Sequence, residues 1–234
     1  MIYATSDLHG YPLDKFQALL DKAGFGEEDF LFVLGDVIDR GADGVTLLRW
    51  MMEQPNVQLI LGNHEAMMLN SRFVFDTVTD ESISRLRSFE LDAYSAWKLN
   101  GATPTLDALR ALDKEQVDAI FEYLSEAPLY ETVTAGGRDF LLLHSGLRNF
   151  DKYRKLTGYL DDDFLWHRPN LTDRYFDDIF CVFGHTPTRY YGTEYKGRAI
   201  KTDTWINIDT GCGHGDMTPM VLRLDDMKEF YVNS

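Results

Sequence analysis

The chain is predicted to adopt an α/β fold, and three observations carry that prediction. Short apolar, β-rich runs recur along the sequence, helix-period segments separate the early ones, and glycine-containing polar motifs begin where five runs end. Ligands of α/β sheets collect beyond the carboxyl ends of the strands, so five such motifs would converge on one rim.

The first run, residues 2–5, leads into Asp7-Leu8-His9-Gly10. Pro12 then opens a segment in which Leu13, Phe16, Leu19, Leu20 and Ala23 keep helical spacing, and Gly24 closes it. Run 30–34 precedes Gly35-Asp36-Val37-Ile38-Asp39-Arg40-Gly41, and Val45, Leu47, Leu48, Met51 and Met52 mark a second helix. Run 57–61 precedes Gly62-Asn63-His64-Glu65. Residues 76–128 are helical in pattern and include the unusual segment Trp97-Lys98-Leu99-Asn100-Gly101-Ala102-Thr103. Run 140–143 precedes His144-Ser145-Gly146, and run 179–183 precedes Gly184-His185-Thr186. Between these two lies 149–178, charged, aromatic and loop-like; it and 76–128 are expected to be insertions capping the rim. A hairpin is expected around Lys196-Gly197, and strands near 206–208, 221–224 and 230–232 suggest a second sheet. With no repeat, low-complexity tract or linker, a single domain spanning 1–234 is predicted.

At 234 residues and 44% hydrophobic, the chain has enough apolar surface for a full core. A formal charge of −15 without a Lys/Arg cluster argues against nucleic acid or an anionic membrane as partner. Cys181 and Cys212 are too few for a disulfide framework, and Cys181 sits in an apolar run, so a reducing cytoplasm is predicted. Met1 leads into the first motif too quickly for a signal peptide, and no apolar stretch approaches the ~18–20 residues of a membrane span.

The motifs hold four of the six histidines. Together Asp7, His9, Asp36, Asn63, His144 and His185 offer carboxylate, amide oxygen and imidazole. That mixture suits a pair of borderline-to-hard divalent ions better than a thiolate zinc site. Two metals sharing one carboxylate form a clamp for phosphate-ester hydrolysis. Asp-x-His alone says little. Gly-Asp-x-x-Asp-Arg-Gly is far more specific: its first Asp can bridge two ions, Asp39 can orient a neighbouring imidazole, and Arg40 can hold a phosphate oxygen. His64 follows Asn63 directly, which sets its imidazole beside the ion in the position of a general acid. His144 and His185 would be ordinary core histidines in isolation, and their company makes them candidate ligands. His214 is expected to be exposed in its glycine-flanked loop, and His167 to pack in a loop.

In this order the motifs resemble the phosphoprotein phosphatase family of calcineurin-like metallophosphoesterases, closest to its compact bacterial and phage (lambda-type) serine/threonine phosphatases. The similarity runs from Asp7 through Asp209-Thr210-Gly211-Cys212-Gly213. It implies a four-layer α/β/β/α sandwich with two ions at the sheet rim, manganese above all, with iron or zinc as further candidates. Asp7, His9 and the bridging Asp36 would hold one ion, and Asp36, Asn63, His144 and His185 the other. His64 would be the acid, oriented by Asp39, while Arg40 and Arg168 (of Trp166-His167-Arg168) would bind phosphate. The resemblance implies hydrolysis of phosphoserine and phosphothreonine, in a protein, peptide or small phosphoester, by direct attack of a hydroxide bridging the ions. No regulatory tail is expected. Ser145 stands where a second glycine is usual, and Gly213-His214-Gly215 lacks the tyrosine of eukaryotic members, which weakens the case for phosphoprotein selectivity. A symmetrical dinucleoside tetraphosphate hydrolase shares the motifs and stays open as an alternative. A non-catalytic metal scaffold would need only the ligands, so His64, Asp39 and Arg40 weigh against it.

Overall fold

The apolar runs do become strands. The computed structural model describes residues 1–76 and 87–232, which form two five-stranded sheets. The first has the order β10-β9-β1-β2-β3, built from β1 (Ile2–Thr5), β2 (Phe30–Val33), β3 (Val57–Leu59), β9 (Met220–Arg223) and β10 (Lys228–Tyr231). The second has the order β4-β5-β6-β8-β7, from β4 (Tyr130–Ala135), β5 (Arg138–Leu143), β6 (Ile179–Phe183), β7 (Ile200–Lys201) and β8 (Trp205–Asn207). In each sheet three neighbouring strands run parallel: β1-β2-β3 in one and β5-β6-β8 in the other.

Three apolar layers hold the sheets in place. Between them pack Ala4, Phe32 and Leu34 from the first sheet against Phe140, Leu142, Val182 and Ile206 from the second. The outer face of the first sheet is covered by helices, whose apolar stripes complete a second core. α1 (Leu13–Ala23) buries Phe16, Leu19, Leu20 and Ala23, and ends at Gly24, which takes φ 78° and donates to the Asp21 and Leu20 carbonyls. α2 (Gly44–Glu53) and α3 (Asn63–Asn70) follow β2 and β3. The region expected to be helical supplies α4 (Ser88–Leu99), α5 (Thr103–Arg110) and α6 (Lys114–Glu126), which pack into that same core through Trp97, Leu106, Leu109, Ile120 and Phe121. Residues 77–86 of that region lie outside the described residues. The fourth layer is slender: α7 (Asp161–Leu165) and its flanking loops place Tyr159, Phe164 and Tyr175 on Leu141, Leu143, Cys181, Phe183 and Trp205. No helix among the described residues is long and apolar enough to cross a membrane.

Three local expectations differ from the structure. The strands expected near 221–224 and 230–232 do not extend the second sheet; β9 returns to pair antiparallel with β1, Tyr3 opposite Arg223, and β10 pairs with β9. Apolar alternation reports which face is buried, not which strand is the neighbour. The hairpin lies at 202–204 rather than Lys196-Gly197: the Thr202 amide donates to the Trp205 carbonyl (2.8 Å), and the Thr202 hydroxyl accepts from the Trp205 amide (3.1 Å). β4 was not anticipated, because an edge strand is half-exposed and carries Glu131, Thr132 and Thr134 instead of an apolar run.

Leu142 is fully buried between the sheets. Leu142→Ala is expected to lower the unfolding free energy by about 2–5 kcal/mol in a urea titration with an unchanged m-value. A loss under about 1 kcal/mol would mean that the inter-sheet layer is not the close-packed core described here.

Candidate metal centre and active site

Each motif begins one to three residues beyond a strand, and both sets of parallel strands end on the same side. The sheets meet there: His144, following β5, donates from Nδ1 to the Leu34 carbonyl following β2 (2.7 Å), and the His185 amide, following β6, donates to Asp7 Oδ2 following β1 (2.9 Å). Such close approach needs glycine. A Cβ at Gly184 would collide with the Asp7 carboxylate, and one at Gly62 would collide with the carboxylates of Asp36 and Glu65. The backbone is bent hard around this point. Of eight non-glycine residues with positive φ among the described residues, six are Asp7, His9, Asp36, Asp39, Arg40 and His185. Each left-handed turn costs free energy in an L-residue, and their clustering marks a functional site.

Asp36 lies at the middle. Its Oδ2 is 3.7 Å from His9 Nε2 and 3.8 Å from His64 Nε2, and its Oδ1 is 3.4 Å from His144 Nε2. Potential ligand atoms of His9, Asp36 and His64 lie within 4.8 Å of one another, as do those of Asp36, His144 and His185. Asn63 joins the second group: its Oδ1 is 2.9 Å from His144 Nε2 and 2.8 Å from His185 Nδ1. The tautomers follow from the other ring nitrogens. His9 Nδ1 donates to the Ile38 carbonyl (3.1 Å) and His144 Nδ1 to Leu34, so the Nε2 atoms of both are turned inward, where a neutral ring offers its lone pair to a cation. His144 Nε2 thus faces two oxygen acceptors. Converging acceptors repel unless a cation sits among them, and imidazoles whose outer N–H is held by a carbonyl are the usual arrangement around a metal. These residues fit a pair of divalent ions.

The electrostatics point the same way. Burial, with the charges of Asp209 and Asp36, drives the Asp7 pKa well above the usual carboxylate range. Asp209 is pushed up to about 7, by burial and then the Asp36 charge, against the Gly211 amide that donates to it. Asp36 is also desolvated, yet the neighbouring imidazoles, His144 and His64 foremost, hold its pKa far below the usual range. Burial keeps His9 and His185 well below the ordinary histidine value, hence neutral. Buried carboxylates beside the neutral imidazoles of His9 and His185 favour added positive charge, which dications would supply.

The remaining motif residues hold this centre in shape. Asp39 is fully buried; its Oδ2 accepts from His64 Nδ1 (2.5 Å) and Trp97 Nε1 (2.9 Å), and its Oδ1 accepts from the Thr105 hydroxyl (2.7 Å). Trp97 and Thr105 come from the first insertion, as does the Gly101 carbonyl that receives the Arg40 amide (2.9 Å). The unusual segment 97–103 is therefore the support for Asp39 and Arg40. Burial lowers the His64 pKa, but the Asp36 charge and the hydrogen bond to Asp39 outweigh it, and the net shift is upward. Arg40 donates to His64 Nε2 (3.2 Å) and to His214 Nε2 (2.8 Å), while Arg168 reaches the His185 carbonyl with Nη1 (3.5 Å). All ten candidate residues are thus gathered at the rim.

Two further residues belong to the site. Glu65, quoted in its motif without a role, is fully buried and accepts the amides of Asp36 (2.8 Å), Val37 (2.8 Å) and Ile38 (3.2 Å), so it fixes the loop that carries Asp36. A motif carboxylate with no place in the ligand set was the signal for it. His214, expected to be exposed, is half-buried against Arg40; burial and the Arg40 charge depress its pKa to about 4, so it accepts as neutral imidazole. Its partner is 174 residues away in sequence, and no local signal announces the contact. His167 is half-buried in a loop, and its amide donates to the Ser145 hydroxyl (3.1 Å). Both cysteines are buried free thiols.

Paired sheets with a histidine–carboxylate rim define a metal-dependent phosphoesterase fold, and comparison with known proteins assigns the family. The calcineurin-like phosphoesterase model matches residues 1–209, and the chain belongs to that family, which is built around a dinuclear divalent metal site. It is 29% identical over 148 residues to a symmetrical bis(5'-nucleosyl)-tetraphosphatase of Acidovorax sp. (strain JS42), covering 62% of this chain and 44% of that relative. It is 27% identical over 237 residues to the asymmetrical bis(5'-nucleosyl)-tetraphosphatase PrpE of Halalkalibacterium halodurans, covering 89% and 84%. Among solved structures, one assigned as a diadenosine tetraphosphatase shares the fold with a TM-score of 0.64 and 16% identity, covering 97% of this chain and 90% of that one.

Because Asp7 and Asp209 hold protons at pH values where free carboxylates do not, dications must expel protons to bind. The rise in melting temperature on adding manganese is therefore expected to grow as the pH is raised from 5 through about 7, as Asp7 and Asp209 become ionised. Isothermal titration at pH 6.5 should show heats that depend on the buffer's ionisation enthalpy. A pH-independent stabilisation would contradict this assignment of charge.

Proposed function

We propose that the chain, acting as one domain over 1–234, hydrolyses the polyphosphate bridge of a dinucleoside polyphosphate at a dinuclear metal centre. The observation that carries the proposal is Asp36, set between two groups of candidate ligands on a rim whose family relatives include bis(5'-nucleosyl)-tetraphosphatases. This favours what the sequence left as its alternative over the serine/threonine protein phosphatase first expected. Asp7, His9 and Asp36 would hold one ion, and Asp36, Asn63, His144 and His185 the other. Manganese suits that oxygen–nitrogen set, with iron or zinc compatible. When bound, two such ions supply Lewis acidity toward phosphoryl oxygens and a water nucleophile at neutral pH.

The chain's own residues do the rest. Arg40 and Arg168 present planar forks to the phosphoryl oxygens. In the structure Arg40 donates to His64 Nε2; a bound phosphate draws that guanidinium away and leaves Nε2 free to carry a proton. Asp39 keeps Nδ1 of His64 protonated and its ring oriented, so the proton on Nε2 is aimed at the leaving oxygen. Buried free thiols fit a reducing compartment, and a cytoplasmic setting is part of the proposal.

The His64–Asp39–Trp97 arrangement is also what favours a second reading, a phosphomonoesterase for phosphoserine and phosphothreonine. A general acid matters most when the leaving group is a poorly stabilised alkoxide, and a departing nucleotide phosphate needs little protonation. The deciding experiment compares kcat/KM of the manganese-loaded chain on diadenosine tetraphosphate and on a phosphothreonine peptide. The dinucleotide is expected to be preferred, and preference for the peptide would overturn the proposal. Nucleoside diphosphate as sole product would indicate symmetrical cleavage, and mono- plus triphosphate asymmetrical cleavage.

Removing metal with a chelator is expected to abolish hydrolysis, with manganese restoring it best. His64→Asn should retain metal by elemental analysis, yet lower kcat on an alkyl phosphate by roughly 10²–10⁴-fold and on an activated aryl phosphate by much less. Equal losses on both substrates would refute the acid role, and loss of metal would make His64 a ligand.

A further inference from the structure

The segment that brings Arg168 to the rim also carries an indole that the fold leaves open to solvent. Of the four tryptophans, Trp97 and Trp205 are fully buried and Trp50 packs partly into the helical core, whereas Trp166 is 41% exposed. Its ring meets His185 edge-to-face, with centroids 6.1 Å apart. The placement is fixed rather than incidental to a loose loop. The His167 amide donates to the Ser145 hydroxyl, Gly146 and His167 form an antiparallel bridge, and the Ser145 amide donates to the Phe164 carbonyl (3.1 Å). Trp166 and Arg168 are thereby locked to the end of β5, on either side of a residue whose backbone is tied down.

A large aromatic surface left in water beside a phosphate-binding centre has a matching ligand chemistry: a planar ring attached close to the phosphate. We propose that Trp166 stacks on a nucleobase of the substrate, so that 166–168 forms a nucleotide subsite in which Arg168 holds phosphate and the indole holds the base. This rests on the dinucleoside polyphosphate reading above and adds how the nucleoside is recognised. The distance suits it: a ring centred 6.1 Å from the His185 imidazole is within one ribose's span of a phosphate held at that centre. The charge suits it as well. With a formal charge of −15 the protein repels a polyanion generally, so affinity for a nucleotide must come from local positive charge, the metal centre and the guanidiniums, and from uncharged stacking. Every base offers a π-face, so the subsite should tolerate purine and pyrimidine alike.

The test uses the full manganese-loaded chain, with Trp166→Ala and Trp166→Phe, and two probes: ADP and inorganic phosphate, each measured by isothermal titration. Trp166→Ala is expected to weaken ADP roughly 5- to 100-fold, the range of a lost base–aromatic stack, while phosphate changes by less than about twofold. Trp166→Phe should recover most of the ADP affinity. For diadenosine tetraphosphate the loss in kcat/KM should appear in KM. ADP binding that is unchanged in Trp166→Ala, or phosphate binding that falls as much as ADP binding, would overturn the subsite. If the wild type fails to cleave diadenosine tetraphosphate, the proposed activity falls, and the contrast between ADP and phosphate still decides whether Trp166 binds a base.

Discussion

Buried lone pairs turned toward a common point are the constraint around which this molecule is arranged. Asp36 faces His9 and His64 with one oxygen and His144 with the other, and Asn63 Oδ1 lies within 3 Å of the same His144 nitrogen and of His185 Nδ1. Burial removes the water that would otherwise hydrate these groups, and the cluster is suited to added positive charge. Positive charge from a pair of dications would meet that need. The two sheets serve the same requirement: candidate ligands from β1, β2 and β3 meet those from β5 and β6 only because both parallel sets end on one rim.

Holding that geometry takes more residues than would touch an ion. Glu65 gathers three consecutive amides of the Asp36 loop, and the helical insertion delivers Trp97 and Thr105 to Asp39, which in turn fixes His64. The left-handed turns at Asp7, His9, Asp36, Asp39, Arg40 and His185 are unfavourable one by one. The close-packed layers on both faces of each sheet offset that strain, so a stable scaffold holds a locally unstable rim.

The α/β class, the five motif-bearing strands and the first two helices were legible in the sequence because each depends on local period and on glycine at a strand end. Sheet membership was not. β9 and β10 show the alternation of any half-buried strand, and only the chain's return to β1 places them beside it. The candidate site was legible in its motif residues, whose types and order carry the chemistry. The same sequence gave no clue that His214 meets Arg40 or that Trp97 meets Asp39, since those contacts join segments 174 and 58 residues apart. Substrate choice was the least legible part. It depends on the surfaces around the rim, and a residue such as Trp166 acquires meaning only once His185 is seen beside it.

The central claim is that Asp36 stands between two metal ions. Anomalous diffraction from crystals grown with manganese tests it most directly. Two peaks are expected, roughly 3.5–4 Å apart, with Asp36 between them, one beside Asp7 and His9 and the other beside Asn63, His144 and His185. A single peak, or two peaks that do not share Asp36, would contradict the account.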